Sequence, residues 1–303
     1  METATSVKRL RTILITIIVI LLILTGVLLF LSLPAMRGEP SPTEIPTAVP
    51  TEPPTEPPTE APTEAPTEEP TEEEFYIEET PYRDEEIQYN GRFLELTTGE
   101  SWAGIDVSRW QYDIDWDAVA ASGAEFAIIR IGYRGNESGL INADKYAQQN
   151  LAGATAAGLK VGVYFFSQAT DVAEAEEEAR MLLRELEGYD VTWPVVFDWE
   201  RIQSADARTN DIWGKTVTLM AEMFCAKIEQ AGYLPGIYFN QDMGYLELEL
   251  GRLSDWVFWL AQYSARPDFY YEVDMWQYSC EVTVPGIDTP VDMNLSFRDF
   301  GAE

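Results

Sequence analysis

Asp198 and Glu200 close a short apolar run, Pro194-Val195-Val196-Phe197-Asp198-Trp199-Glu200. Side chains along a strand alternate between faces. Val195, Phe197 and Trp199 therefore point one way, and Val196, Asp198 and Glu200 the other. Two acids that share a face at the end of a buried strand repel each other, and desolvation drives one pKa upward. One protonated acid beside one ionised carboxylate is what glycosidic-bond cleavage requires. A strand end with two solvated acids is the plain alternative, so the rest of the chain has to decide.

Composition narrows the chemistry. The 303 residues carry a formal charge of −32 and contain no histidine. That removes Ser-His-Asp and Cys-His nucleophilic sites and His-ligated zinc. Cys225 and Cys280 are too few and too far apart for a redox motif, a zinc motif or a disulfide scaffold. One bond between them and a buried free thiol at Cys225 both fit. The acidity argues against nucleic acid, which needs a basic footprint. No cofactor is implied, and carboxylates and tyrosines remain to do chemistry.

The domains follow from composition shifts. Residues 1–12 carry Lys8, Arg9 and Arg11 and form a short cytoplasmic tail. Residues 13–33 are almost unbroken Ile, Leu, Val and Phe, long enough to span a bilayer as a helix. The preceding basic residues put the N-terminus inside and the remainder outside, on the cell-wall side. A cleavable signal ending near Ala35 is the alternative. Residues 34–74 are a Pro/Thr/Glu-rich linker whose four-residue unit repeats from Pro50. Proline fixes φ and the glutamates repel, so this stretch is expected to be a disordered, polyproline-like spacer. Residues 75–100 are an aromatic and acidic lead-in, and 101–303 form the globular, catalytic domain, expected to be monomeric.

All nine tryptophans lie between Trp102 and Trp276, where strand-like and helix-like runs alternate. Strands are predicted at 104–107, 126–131, 161–166, 194–199 and 236–239. Helices are predicted at 115–122, 142–157, 171–187 and 208–231, with Asp115 and Asn142 as N-caps and Gly123, Gly158, Gly188 and Gly232 as stops. Beyond residue 239 the helices disappear, and strands at 255–262, 273–278 and 289–293 complete eight. Alternating strand and helix predicts a parallel sheet, and eight strands in about 200 residues predict an α/β closed barrel of the TIM type.

Such barrels carry their chemistry at the C-terminal strand ends. Asp106 ends the first strand, Tyr164 and Phe166 the third, Asp198 and Glu200 the fourth, and Tyr238 and Asn240 the fifth. Gln262 and Tyr263 end the sixth, Trp276, Gln277 and Tyr278 the seventh, and Asp292 and Asn294 the eighth. Four acids converge amid aromatics, whose apolar faces and polar tips suit sugar rings. Arg130, on the second strand, is expected to be a structural partner for Asp106 or a neighbouring carboxylate. Trp199, on the face away from the acids, is assigned to packing.

Gly104-Ile105-Asp106-Val107-Ser108-Arg109-Trp110-Gln111 resembles the opening G-I-D-V-S-x-W-Q of the glycoside hydrolase family 25 lysozymes, the Chalaropsis-type muramidases. Gly162-Val163-Tyr164-Phe165-Phe166 is similar to their G-x-Y-H-F stretch, with phenylalanine for histidine, and Val196 to Glu200 to their D-x-E signature. Gly236-Ile237-Tyr238, Trp259 to Tyr263, Trp276 to Ser279 and Val291 to Asn294 match later motifs in order. The resemblance covers roughly 102–297. It implies a flattened (β/α)5(β)3 barrel, and hydrolysis of the β-1,4 bond between N-acetylmuramic acid and N-acetylglucosamine in peptidoglycan strands. On that footing Glu200 is the general acid. Asp198 stays ionised to orient the substrate N-acetyl group or a water, and Asp106 and Asp292 hold the pair in charge state. Tyr164, Phe166, Tyr238, Gln262, Tyr263, Trp276, Gln277 and Asn294 are the expected substrate contacts. A wall-binding module without catalysis and a hydrolase of another N-acetylated glycan are the alternatives.

Overall fold

A computed structural model describes residues 77–302. The segments expected as a cytoplasmic tail (1–12), a membrane-spanning helix (13–33) and a Pro/Thr/Glu linker (34–74) lie outside the described residues. Among the described residues no helix is long and apolar enough to cross a membrane.

The lead-in contains an antiparallel hairpin, β1 (Ile87–Asn90) and β2 (Phe93–Leu96). Its Phe93 and Leu94 are buried, and the Leu94 N–H donates to the Tyr278 hydroxyl at 3.3 Å. The chain then runs β3 (Trp102–Val107), α1 (Trp116–Ala121), β4 (Phe126–Arg134), β5 (Ile141–Ala143) and α2 (Ala147–Ala156). It continues through β6 (Lys160–Ser167), α3 (Val172–Glu185), β7 (Val195–Trp199), α4 (Gly214–Gln230) and β8 (Pro235–Asn240). A short α5 (Gln241–Leu246) leads to β9 (Val257–Ala261), β10 (Met275–Val282) and β11 (Val291–Ser296).

Eight of these strands close a barrel in the order β3-β4-β6-β7-β8-β9-β10-β11, with β11 returning to β3. Every neighbouring pair from β3 to β10 is parallel, whereas β11 is antiparallel to both β10 and β3. The barrel interior and the layer beneath the helices are separate apolar clusters. On β7 the alternation sends Val196 inward and Val195, Phe197 and Trp199 outward, as the sequence predicts. Phe126, Trp193 and Phe300 plug the interior, with Phe126 and Trp193 stacked at 4.5 Å and Trp193 edge-on to Phe300 at 5.1 Å. Gly104 makes room for that plug: a Cβ there would lie 2.5 Å from the Phe126 ring.

Helix starts follow the caps where a cap is made. Asp115 accepts the Ala118 N–H at 3.1 Å, and Asp171 accepts the Glu174 N–H at 2.9 Å. Three helix expectations differ. Asn142 is not an N-cap: residues 141–143 pair antiparallel with the end of β4, and the helix begins at Ala147. The fourth long helix begins at Gly214 rather than 208, because Arg208 and Thr209 are drawn into a loop by Glu174 and Gln168. Helices do not end at β8, because the Asn240 side chain accepts the Met243 N–H at 2.9 Å and starts α5. Cys225 and Cys280 are both free thiols.

One buried ion cluster ties the barrel to α3. Arg134, at the end of β4, bonds Glu178 at 2.7 Å and Glu177 at 2.9 Å. Glu178 is fully buried, and burial lifts its carboxyl to about 7 against the pull of Ser167 and Arg134. Removing one member of such a pair strands the other's charge. Arg134→Met is expected to cost about 3–5 kcal/mol of stability, read from urea unfolding. The double variant with Glu178→Leu should recover part of that loss, and no recovery would mean that charge pairing is not the source of the cost.

Candidate active site

Asp106 lies one residue before the end of β3, and Asp198 one before the end of β7 with Glu200 just past it. Asp292 reaches the same rim by a different route. It lies at the start of β11, as its second residue, rather than at the strand's end as the sequence predicts, and β11 runs antiparallel, so Asp292 sits opposite Asp106 in register. The four acids line one cavity of about 220 Å³ together with Tyr164, Phe166, Tyr238, Tyr263 and Gln277. A second cavity of about 200 Å³ shares Glu200, Tyr238 and Tyr263 and extends to Asn240 and Ala261. Glu200 thus borders both.

Three expected contacts are absent from this lining. Trp276 faces outward, because Met275 and Gln277 take the inward positions of β10. Its indole N–H donates to the Gln262 carbonyl at 2.8 Å. The Gln262 side chain turns to Asp268, accepting that residue's N–H at 3.0 Å. Asn294 is fully buried behind Asp106. Its amide donates to Asp106 Oδ2 at 2.8 Å and its carbonyl oxygen accepts the Trp259 indole N–H at 2.9 Å. Asn294 therefore holds an acid rather than a ligand. Trp199 packs in the outer core, as expected.

Five lining residues were not expected as contacts: Ser108, Trp110, Gln111, Arg130 and Trp259. Ser108 and Gln111 cap each other's turn, with the Ser108 N–H donating to Gln111 Oε1 at 2.9 Å. That turn presents Trp110, which is 57% exposed. The first motif contains both residues, so the signal was present in the sequence. Arg130 pairs with Asp144 at 2.8 Å rather than with Asp106. Asp144 enters from the loop after β5, an element absent from the expected order.

A hydrogen-bond chain supports Asp106. The Tyr238 and Tyr263 hydroxyls donate to Gln277 Oε1 at 3.0 and 2.9 Å, which orients the Gln277 amide to donate to Asp106 Oδ2 at 2.8 Å. Burial nevertheless lifts Asp106 to about 6, the two amide bonds opposing it. Asp292 rises to about 8, through burial first and then the charges of Asp106 and Glu200. Asp198 is pushed well above the carboxylate range by burial and by Glu200 and Asp106, against Arg130. Glu200 is also raised by burial, and a hydrogen bond with Asp198 opposes the rise. Asp198 is the deeper of the two, so the pair's shared proton lies toward it, whereas the sequence reading places it on Glu200 and leaves Asp198 ionised.

A cavity of about 460 Å³ also lies between the lead-in and Asp274, Phe297 and Arg298. Its Asp274 already accepts the Phe258 N–H at 2.9 Å and pairs with Arg298 at 3.5 Å. Size alone does not make it the site, because its chemistry is committed to structure.

The charge at Asp292 has a sign that stability can read. Its folded pKa of about 8 lies above the ordinary aspartate value. Below the unfolded pKa both states are protonated and nothing is lost. As pH rises toward 8 the folded state keeps a proton that the unfolded chain has released, so stability falls. Asp292→Asn is expected to match the parent near pH 4 and to melt roughly 2–4 °C higher at pH 9, equivalent to about 1 kcal/mol. A variant no more stable than the parent at pH 9 would contradict the raised value.

Comparison with known proteins fits this geometry. The chain resembles a family 25 glycosyl hydrolase from Bacillus anthracis, with TM-score 0.57, 21% identity, and coverage of 70% of this chain and 95% of that one. A bacterial lysozyme from Streptomyces coelicolor matches at TM-score 0.53 and 24% identity, over 68% and 95% of the two chains. The modular autolysin LytC from Streptococcus pneumoniae matches at TM-score 0.55 and 21% identity, over 73% of this chain but 52% of its own length. At these identities the likeness concerns the fold. The family model described as glycosyl hydrolases family 25 matches residues 105–287. With more than half of its residues inside that span, which runs from the neighbour of Asp106 past the Asp198–Glu200 pair, this chain belongs to glycosyl hydrolases family 25.

Proposed function

We propose that this protein is a membrane-anchored, extracellular peptidoglycan hydrolase, a muramidase that cleaves the β-1,4 bond between N-acetylmuramic acid and N-acetylglucosamine. The observation that carries this reading is the Asp198–Glu200 pair. The two carboxyl groups share a hydrogen bond, both are raised, and Glu200 borders two adjoining cavities. A glycosidic bond at that junction has one sugar on either side and its bridging oxygen at Glu200. The autolysin of similar fold was solved with a synthetic peptidoglycan ligand.

Glu200 acts as the general acid, because it is the less buried partner and the one that an entering oxygen reaches. As substrate displaces water, the shared proton crosses from Asp198 to Glu200 and on to the leaving oxygen. Asp198, then ionised, stabilises the positive charge that develops on the sugar. Its Oδ1 is buried without a hydrogen-bond partner, so it is available to accept the N–H of the substrate's N-acetyl group. Orienting that group permits substrate-assisted cleavage, a known exception to the two-carboxylate scheme. The charge on Asp106 raises both members of the pair and so keeps their proton in place. Trp110 and Tyr263, both more than half exposed, offer faces to the sugar rings.

The apolar stretch at 13–33 and the acidic spacer at 34–74 support tethering to the outer membrane face, with hydrolysis of the cell's own wall. A wall-binding module would need neither the raised pair nor the amides that hold Asp106, and this disfavours it. A hydrolase of another N-acetylated glycan would give different products.

Glu200→Gln is expected to lower peptidoglycan cleavage by about 10²–10⁴-fold while leaving the melting curve unchanged. Retained activity would remove Glu200 from the mechanism. Mass spectrometry of fragments released by the soluble domain should find N-acetylmuramic acid at the new reducing end, and N-acetylglucosamine there would overturn the bond assignment. Strands N-deacetylated at muramic acid are expected to resist. Equal rates on both substrates would rule out the substrate-assisted route.

A further inference from the structure

Glu200 lies just beyond the regular sheet. The ladder between β6 and β7 ends at Ser167 and Trp199, and that between β7 and β8 ends one residue earlier, at Asp198 and Tyr238. The Glu200 carbonyl therefore gets no rung from either neighbour. The Gln168 side chain supplies one, its amide donating to the Glu200 carbonyl at 2.7 Å and to the Ser167 carbonyl at 2.8 Å. Gln168 is fully buried. One residue on, the Ala169 carbonyl accepts the Trp199 indole N–H at 3.0 Å. The loop after β6 thus grips β7 at two successive residues.

An amide can flip, and a flipped Gln168 would face the Glu200 carbonyl with its own oxygen. Thr209 opposes this, its hydroxyl donating to Gln168 Oε1 at 3.2 Å. Thr209 is itself buried and belongs to the loop that follows Glu200. Its neighbour Arg208 is tied to Glu174 at 2.5 Å and, through its backbone N–H, to the Asn136 carbonyl at 2.9 Å. The polar atoms of Gln168 are spent on these contacts rather than on the cleft, since Gln168 does not line it.

We infer that Gln168, with its orientation fixed by Thr209, is a positioning residue for Glu200: it replaces the missing rung and so fixes the peptide from which the candidate general acid projects. The inference rests on the acid role proposed for Glu200. Without the rung, the Glu200 peptide is free to rotate about the end of β7. The carboxyl then leaves the hydrogen bond with Asp198 and loses both its shared proton and its place at the junction of the cavities.

The experiment uses the soluble domain with Gln168→Leu, Thr209→Val and Thr209→Ser. Gln168→Leu removes the rung, Thr209→Val removes only the donor that prevents the flip, and Thr209→Ser keeps that donor. The first two are expected to lower kcat on peptidoglycan by about 10–100-fold, the range for a misplaced group, with KM changed by less than about twofold. Turned out of the cleft, Glu200 loses the burial that raises it, so the alkaline limb of the kcat/KM profile, which reports the free enzyme's acid, should move to lower pH, and Thr209→Ser should restore both. Parental kcat and alkaline limb in folded Thr209→Val would overturn the inference, whether or not Gln168→Leu folds. A carboxyl-carbon NMR titration is independent of activity. In the parent, Asp198 and Glu200 should titrate as a coupled pair. In Thr209→Val, Glu200 should titrate alone and at lower pH than in the parent. If the parent fails to cleave peptidoglycan, the functional reading falls while this titration still tests the rung. An unchanged titration in Thr209→Val would overturn it.

Discussion

Four carboxyl groups share one end of a barrel with a single guanidinium in the cavity wall, and that guanidinium, Arg130, is already bonded to Asp144. Four ionised carboxylates in so small a volume would repel by several kcal/mol per pair at low effective dielectric. The site avoids this without importing cations. Asp292 and the Asp198–Glu200 pair keep protons at neutral pH, and Asp106 keeps much of its charge by accepting two amide donors. Repulsion thereby becomes the means of storing a proton. An arginine paired to Glu200 would stabilise the fold and depress the pKa that an acid catalyst needs.

The surrounding fold follows from that arrangement. Amide donors must be exact in orientation, so each is fixed by a further bond: Gln277 by two tyrosine hydroxyls, Asn294 by the Trp259 indole. Those rings are in turn packed, with Tyr238 edge-on to Trp259 at 4.9 Å and Tyr164 at 6.2 Å. Below them the aromatic plug fills the barrel, so the polar layer rests on a dry floor. Side chains counted one by one as candidate sugar contacts therefore divide into two groups. Some face the cleft, and others exist to hold the first group's hydrogen-bond sense.

Much of the barrel was legible because strand alternation and helix stops are local signals. The stretch from Val195 to Glu200 gave its inward and outward faces from periodicity alone. Asp106 and Asp292 could be assigned to the same rim, although the direction of β11 could not, since its orientation depends on where the chain returns. Trp276 was misassigned because three consecutive residues of β10 were placed at one strand end, whereas alternation admits only Gln277. Gln262 lies one residue beyond β9, where the strand parity lapses and Asp268 captures the side chain. Asn294 lies behind the rim, bonded to Asp106, and sequence alone does not distinguish a buried amide that serves a carboxylate from one that serves a sugar. Arg130 found its partner on Asp144, beyond a strand that helical propensity concealed.

Glu200 shows most plainly why the acid pair is asymmetric. A residue inside the ladder, such as Asp198, is held on both sides and buried, so it stores a proton at the floor of the cleft. A residue past the last rung gains reach and loses its restraints. The chain restores them from outside the sheet. The loop that follows Glu200 is tied by Arg201 to Glu247 at 2.5 Å and by Arg208 to Glu174 at 2.5 Å. These pairs are partly exposed, so each contributes little stability. The contacts that can fix a position within a fraction of an ångström are the buried neutral ones, from Gln168 and Trp199. Neutral donors also leave the pKa of Glu200 to burial and to its acidic neighbours. The same requirement that keeps a cation from pairing directly with Glu200 therefore explains why its scaffold is made of amides, hydroxyls and an indole.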